Sequence, residues 1–251
     1  VRLKLLAAAL TAAAATLTST TSAQAGHSWG SYHWARTANP FTLKLGDNLA
    51  SGWKSYLGTA SNDWSQSSVL NTTVVTGQSN NNCRATSGRV EVCNRTYGNN
   101  GWLGLASISA NGTHITSGTV KVNDTYFNTA TYNSPSWKTL VMCQEVGHTF
   151  GLAHQDEGQT NPNLGTCMDY TNNPDGPPSN LHPNAHDFTQ LESIYAHLDS
   201  TSTVDHSAAV PTVGNSKASW GKRVARSAHG DTYVRDFGKG SKVITFVIWA
   251  G

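Results

Sequence analysis

The chain has 251 residues, with 17 Lys+Arg against 15 Asp+Glu, 37% hydrophobic residues and 13% charged ones. That length bounds one sizeable domain with at most a small appendage, and eight Trp, eight Tyr and six Phe supply a core that a disordered chain lacks. A near-balanced charge without a basic stripe argues against nucleic acid as the main partner.

Residues 1–25 read as a signal peptide. Arg2 and Lys4 give the positive start, Leu5 to Leu17 is a short Ala/Leu-rich run, and Ala23-Gln24-Ala25 is a small-x-small cleavage pattern before Gly26. The run is shorter than the roughly 18 apolar residues of a membrane span. A secreted, extracellular chain with no membrane association after cleavage is therefore expected, an uncleaved amphipathic anchor being the alternative.

Phe41 to Leu45 alternates apolar and polar residues and predicts a strand. Asp47 or Asn48 then caps a helix whose Trp53, Tyr56, Leu57, Ala60 and Trp64 share one face and form core. Thr72 to Thr76 predicts a strand, followed by a Gly/Ser/Asn-rich stretch carrying Cys83 and Cys93. Trp102–Ser109 and Val120–Asn123 predict two more strands around a turn at Asn111-Gly112. Ser134-Pro135 opens a helix that Gly151 is placed to end. A long loop from Gln155 to Ala185 leads to a last helix, with Asp187 and Gln190 at capping-box spacing and Phe188, Leu191, Ile194, Tyr195 and Leu198 on one face. Residues 200–215 read as a linker, and Tyr233 to Trp249 as a hairpin around Gly238-Lys239-Gly240. The organisation expected is 1–25 signal, 26–199 catalytic domain, and 200–251 linker with a C-terminal hairpin.

Four cysteines in an exported chain allow three disulfide connectivities. Cys83–Cys93 with Cys143–Cys167 is the favoured pairing, each bridge contributing roughly 3 kcal/mol. Crossed pairing or a free Cys143 are the alternatives.

The stretch richest in chemistry is Cys143 to His154. On the predicted helix, Gln144 and His148 lie one turn apart on one face, Glu145 sits between them, and Gly151 lets the chain turn so that His154 returns to the same place. Glu145, His148, Gly151 and His154, followed by Cys167-Met168-Asp169-Tyr170, resemble the metzincin metallopeptidases, whose signature is H-E-x-x-H-x-x-G-x-x-H with a downstream Met-turn. The order of elements over residues 40–199 resembles the matrixin-like branch.

The resemblance implies an α+β fold with a twisted mixed sheet, an active-site helix, the Met-turn and a C-terminal helix. It implies a zinc-dependent endopeptidase acting on peptide or protein substrates, with one catalytic zinc held by Gln144, His148 and His154. Glu145 would be general base to a metal-activated water, Tyr170 a contributor to oxyanion stabilisation or an extra ligand, and Met168 a floor beneath the metal. Ile115 to Asp124 matches the strand on which that family pairs extended substrate. A monomer is expected, and no calcium loop or structural-zinc motif of the matrixin kind stands out.

This chain departs from the signature at Gln144, which stands where the family has its first histidine. An amide oxygen is a weaker, harder donor than imidazole. Three readings stay open: Gln144 ligates; Tyr170, Asp156, His114 or an unpaired Cys143 fills the position; or tight metal binding is lost and the chain is a secreted binding module. His186, beside Asp187, and Asp156 and Glu157, which follow His154, are candidates for supporting a ligand histidine, a solvated loop being the alternative for the last two.

Overall fold

The computed structural model describes residues 26–78 and 82–251; the expected signal segment lies outside them. The fold is α+β, built on one mixed sheet. Strand β1 is His33–Trp34, β2 Phe41–Asn48, β3 Leu70–Thr76, β4 Val90–Arg95, β5 Trp102–Asn111, β6 His114–Asn123, β7 Lys222–Arg226, β8 Gly230–Gly238 and β9 Ser241–Trp249. The order is β3-β2-β4-β6-β5-β9-β8-β7, with β1 also paired to β6. The pairs among β1, β2, β3, β4 and β6 are parallel, and β5, β9, β8 and β7 follow antiparallel.

Helix α1 (Ser51–Trp64) buries Trp53, Leu57, Ala60 and Trp64, the apolar stripe expected. Its cap differs. The N-cap is Ala50, whose amide donates to Asn94 Oδ1 at 2.7 Å, while Asp47 Oδ1 takes the Leu49 amide and Asn48 reaches Glu91. The cap candidates are thus occupied by tertiary partners. A short helix, α2 (Asp124–Phe127), follows β6, and α3 (Pro135–His148) starts at Ser134, whose side chain accepts the Trp137 amide.

Helices α1 and α3 lie on one face of the sheet. Trp64 joins them: its indole donates to the Cys143 carbonyl at 3.1 Å, and its ring meets Phe150 edge-on. Burying such a side chain contributes about 1.5–3 kcal/mol. Helix α4 (Ala185–Ile194) begins one residue triplet earlier than the sequence reading has it, because Asn184 is the N-cap and Asp187 the third helical residue that closes the box. Leu191 and Tyr195 are buried, while Leu198 is exposed.

The stretch with the first cysteine pair contains a strand that its composition hides. β4 is buried through Asn94, Glu91 included, since Arg89 lies 3.0 Å from Glu91 and the Asn48 amide 2.6 Å from it. Both favoured disulfides form, Cys83–Cys93 and Cys143–Cys167. No described helix is long and apolar enough to cross a membrane.

The C-terminal hairpin of β8 and β9 forms as expected, with β7 added. β9 continues the main sheet, pairing with β5 from Trp102↔Trp249 to Asn111↔Ser241. A second core of Trp102, Leu105, Trp220, Tyr233 and Val247 sits on the opposite face, with Trp220 supplied by α5 (Lys217–Trp220).

Candidate metal centre

Helix α3 brings Gln144, Glu145 and His148 to its buried C-terminal half. The chain then turns through Gly151 at φ +95°, where a Cβ would overlap the Tyr32 carbonyl, so the exit needs glycine. This turn returns Leu152 and His154 over the helix end. The Leu152 carbonyl accepts from His148 Nδ1 at 2.8 Å, and Glu157 accepts from His154 Nδ1 at 3.2 Å. The two rings stand at 88°, with their Nε2 atoms 3.0 Å apart.

Each Nδ1 faces an acceptor and so carries the proton of the neutral ring. Both Nε2 atoms then present lone pairs to one point. Two such lone pairs repel unless a cation lies between them. Nitrogens bound to one tetrahedral zinc stand about 3.3 Å apart, given Zn–N near 2.0–2.1 Å. Burial, then the neighbouring His154, holds the His148 pKa well below its ordinary value, which favours the neutral, ligating form.

Three further buried polar groups come from the same helix and the loop after it. Gln144 is fully buried and neither side-chain amide atom has a hydrogen-bond partner; Glu145 Oε2 and the Tyr170 hydroxyl are likewise buried and unpartnered. An unpaired buried polar group costs about 1–3 kcal/mol, so each of these atoms is one that an ion, water or substrate could satisfy. Glu145 rests on Gly104 of β5, where any Cβ would overlap its carboxylate. Burial raises its pKa well above the carboxylate range. Tyr170 packs its ring 4.2 Å from that of His154, and burial, then the charge of Glu145, raises its hydroxyl.

Met168 is fully buried beneath α3, its sulfur against Gly147, and the Cys143–Cys167 bridge ties the helix to this loop. Of the other donors considered for the first position, Cys143 is in the disulfide, Asp156 accepts from the Gly158 amide and Asn161, and His114 faces Asp199 at 3.3 Å. Tyr170 alone among them lies against His154. The support expected from Glu157 is present. Asp187 acts at one remove, taking His27 Nε2 at 2.9 Å, while the His27 carbonyl accepts the Ala153 amide beside His154. His186 stacks on His27.

The sequence reading missed what covers the centre. Phe246 of β9 lies flat on His148, centroids 4.5 Å apart and planes at 5°, and Trp29 braces Phe246 edge-on. Gly230 of β8 abuts the Tyr170 hydroxyl, where a Cβ would overlap it. Nothing in residues 230–249 signals this role, because it depends on which strand the hairpin joins. β6, expected to pair substrate, has β5 on one side and β4 and β1 on the other, so neither of its edges is free. The antiparallel strand β5 lies beside Glu145, and β9 occupies its outer edge.

No family model matches the chain, and no curated protein matches it. Among solved structures it is similar to myroilysin, at 15% identity over 68% of this chain and 99% of that one, TM-score 0.40. It is also similar to high choriolytic enzyme 1, a hatching-enzyme zinc-protease from the medaka fish Oryzias latipes. That likeness has 11% identity over 66% of this chain and 95% of that one, TM-score 0.36.

Proposed function

We propose that this chain is a secreted zinc-dependent endopeptidase of metzincin type, hydrolysing peptide or protein substrates. The observation that carries the reading is the convergence of His148 and His154 Nε2 at 3.0 Å, with both Nδ1 atoms already engaged. These two nitrogens and the side-chain oxygen of Gln144 would hold the ion. Bound zinc supplies Lewis acidity and lowers the pKa of water toward about 7.

The protein's own part is positioning and proton transfer. Glu145 takes the proton of the attacking water and delivers it to the leaving amine. Tyr170, unpartnered at its hydroxyl, donates to the developing oxyanion. Leu152 and Glu157 fix the histidine rings, and Met168 supports them from below. An extended peptide would pair with the outer edge of β5, next to Glu145, by strand addition. That edge carries β9, so turnover requires the C-terminal hairpin to move aside, and the conformation described is a latent one.

The covered cleft also favours a second reading, a secreted binding module that retains the fold without turnover. Hydrolysis of a quenched fluorescent peptide library by zinc-loaded full-length protein separates the two. We expect measurable cleavage, reduced roughly 100- to 10,000-fold in Glu145→Gln, in line with loss of a general base, with zinc affinity within a few-fold of wild type. Equal rates in the two proteins would remove Glu145 from the mechanism. Absence of cleavage both in wild type and in Phe246→Ala, which lacks the covering ring, would favour the binding module.

A further inference from the structure

A second cluster of donors lies outside the centre just described. We propose that His33, His114, His197 and Asp199 form a separate zinc site that clasps the N-terminal strand to the chain leaving α4. His33 and His114 are register partners in the parallel β1–β6 pair, so the sheet itself sets them side by side. His197 and Asp199 arrive from the segment after α4.

Asp199 Oδ1 faces three imidazole nitrogens: His114 Nε2 at 3.3 Å, His33 Nε2 at 3.4 Å and His197 Nε2 at 3.7 Å. His33 and His197 Nε2 are 3.2 Å apart. Donors of one tetrahedral zinc stand about 3.3 Å from each other; His33, His197 and Asp199 offer donor atoms all within 4.8 Å of one another, while His114, 3.3 Å from Asp199, lies outside that group and would have to swing in as the fourth donor. The alternative, three N–H groups all donating to one carboxylate oxygen, does not account for the short nitrogen–nitrogen approach. Three imidazoles and one carboxylate are a borderline-soft set, suited to zinc and unsuited to calcium or magnesium.

The surroundings hold these donors in place. His33 Nδ1 donates to the Ser31 carbonyl at 2.8 Å, which leaves its Nε2 free to ligate. The other oxygen of Asp199 receives Arg36 Nη1 at 2.9 Å and the Arg36 amide at 3.2 Å. Arg36 is buried, and its guanidinium also donates to the carbonyls of Tyr195 and His197. Thus the guanidinium orients the carboxylate and the backbone that carries His197. Access is open: His114 and His197 are 41% and 56% exposed at the side chain, and a surface depression of about 270 Å³ lined by Ser31, His33, Ile194 and His197 adjoins the cluster.

The site is independent of Gln144, His148 and His154, and its test separates the two. Full-length wild type, His197→Ala, His114→Ala/His197→Ala and His154→Ala are titrated with zinc alone after chelation, reading stoichiometry by elemental analysis and affinity by calorimetry. Wild type is expected to take up two ions. His197→Ala weakens one of them at least 100-fold and leaves the other unchanged, while His154→Ala weakens only the other. Far-ultraviolet dichroism should be unaltered in His197→Ala, since that side chain is largely solvent-exposed. If His197→Ala and the double variant bind zinc with wild-type stoichiometry and affinity, the second site does not exist, whatever His154→Ala does. If only His154→Ala is unaffected, the second site stands and the proposed catalytic centre falls.

Discussion

Replacing Gln144 by Met should stabilise the protein in chelator and lose most or all of that advantage when zinc is added. Met keeps an unbranched side chain of similar length and removes an amide that is fully buried and unpartnered at both atoms. In chelator, relief of that desolvation should stabilise the fold by about 1–3 kcal/mol. For a chain of this size the midpoint should rise by roughly 2–12 °C. With zinc at roughly 100 times the wild-type Kd, wild type gains about 2.7 kcal/mol, whereas a variant bound roughly 100-fold more weakly gains only about 0.4 kcal/mol. The advantage of the variant should therefore shrink by about 2.3 kcal/mol, which removes most of it at the upper end of that range and reverses it at the lower. Calorimetric melting of both proteins in a His197→Ala background, where the second cluster is disabled, reads this directly. A variant less stable than its parent in chelator, yet gaining the same increment with zinc, would refute the reasoning that the amide is an unpaired donor waiting for a cation.

Two further outcomes follow from the C-terminal strands and the sheet. Ser107 and Thr245 face each other across β5 and β9 with hydroxyls 2.9 Å apart, so Ser107→Cys/Thr245→Cys should form a bridge on this directly opposed pair. Oxidised, it should abolish peptide hydrolysis with zinc content unchanged; hydrolysis at the wild-type rate would mean that β9 need not leave. Lys121 of β6 is buried with its ammonium on Asn215 at 2.7 Å, and burial lowers its pKa from 10.5 to about 8. The fold therefore disfavours the charged form, with a penalty of about 3 kcal/mol that is fully present below pH 8 and disappears as pH rises to 10.5. Denaturant titrations should show this rise in stability in wild type and not in Lys121→Met; parallel pH profiles would contradict it.

How far the sequence reveals this molecule depends on whether a feature is local. The stripe Trp53, Leu57, Ala60, Trp64 declares α1, and Ser134-Pro135 declares α3, because helix faces and caps are written within one or two turns. The approach of His148 to His154 is likewise local, requiring only a helix and one glycine turn. β4 escapes because its Glu91 and Asn94 look solvent-bound; they are buried with Arg89, which adjoins the strand, and with Asn48 and Asp124, which come from distant elements to pair with them. The Asn184 cap escapes for a smaller reason, since Asn184/Asp187 and Asp187/Gln190 both satisfy the spacing, and it is the former pair that closes the box. The cluster at His33, His114, His197 and Asp199 is the extreme case: its members are scattered over more than half the chain, and isolated histidines carry no signal until parallel pairing sets two of them in register.

The hairpin that covers the centre also sets a scale for any activity. Ile244, Phe246 and Ile248 are buried against the same core as α3, and withdrawing them would expose side chains worth about 1.5–3 kcal/mol each, hence about 6 kcal/mol in all. At 1.4 kcal/mol per factor of ten, spontaneous opening would be populated at roughly one part in 10,000. A peptide that needs the open form would meet an apparent affinity weakened by that factor. Much of the cost is recoverable, because an incoming strand with apolar residues on the α3 side restores both the hydrogen bonds of β5 and the contacts of Phe246. Substrates with a large apolar residue opposite Ala106 should thus be favoured over polar ones in the intact chain. The preference should weaken in Phe246→Ala, where the displaced contact is smaller. A site-selection profile identical in the two proteins would mean that substrate does not take the place of β9.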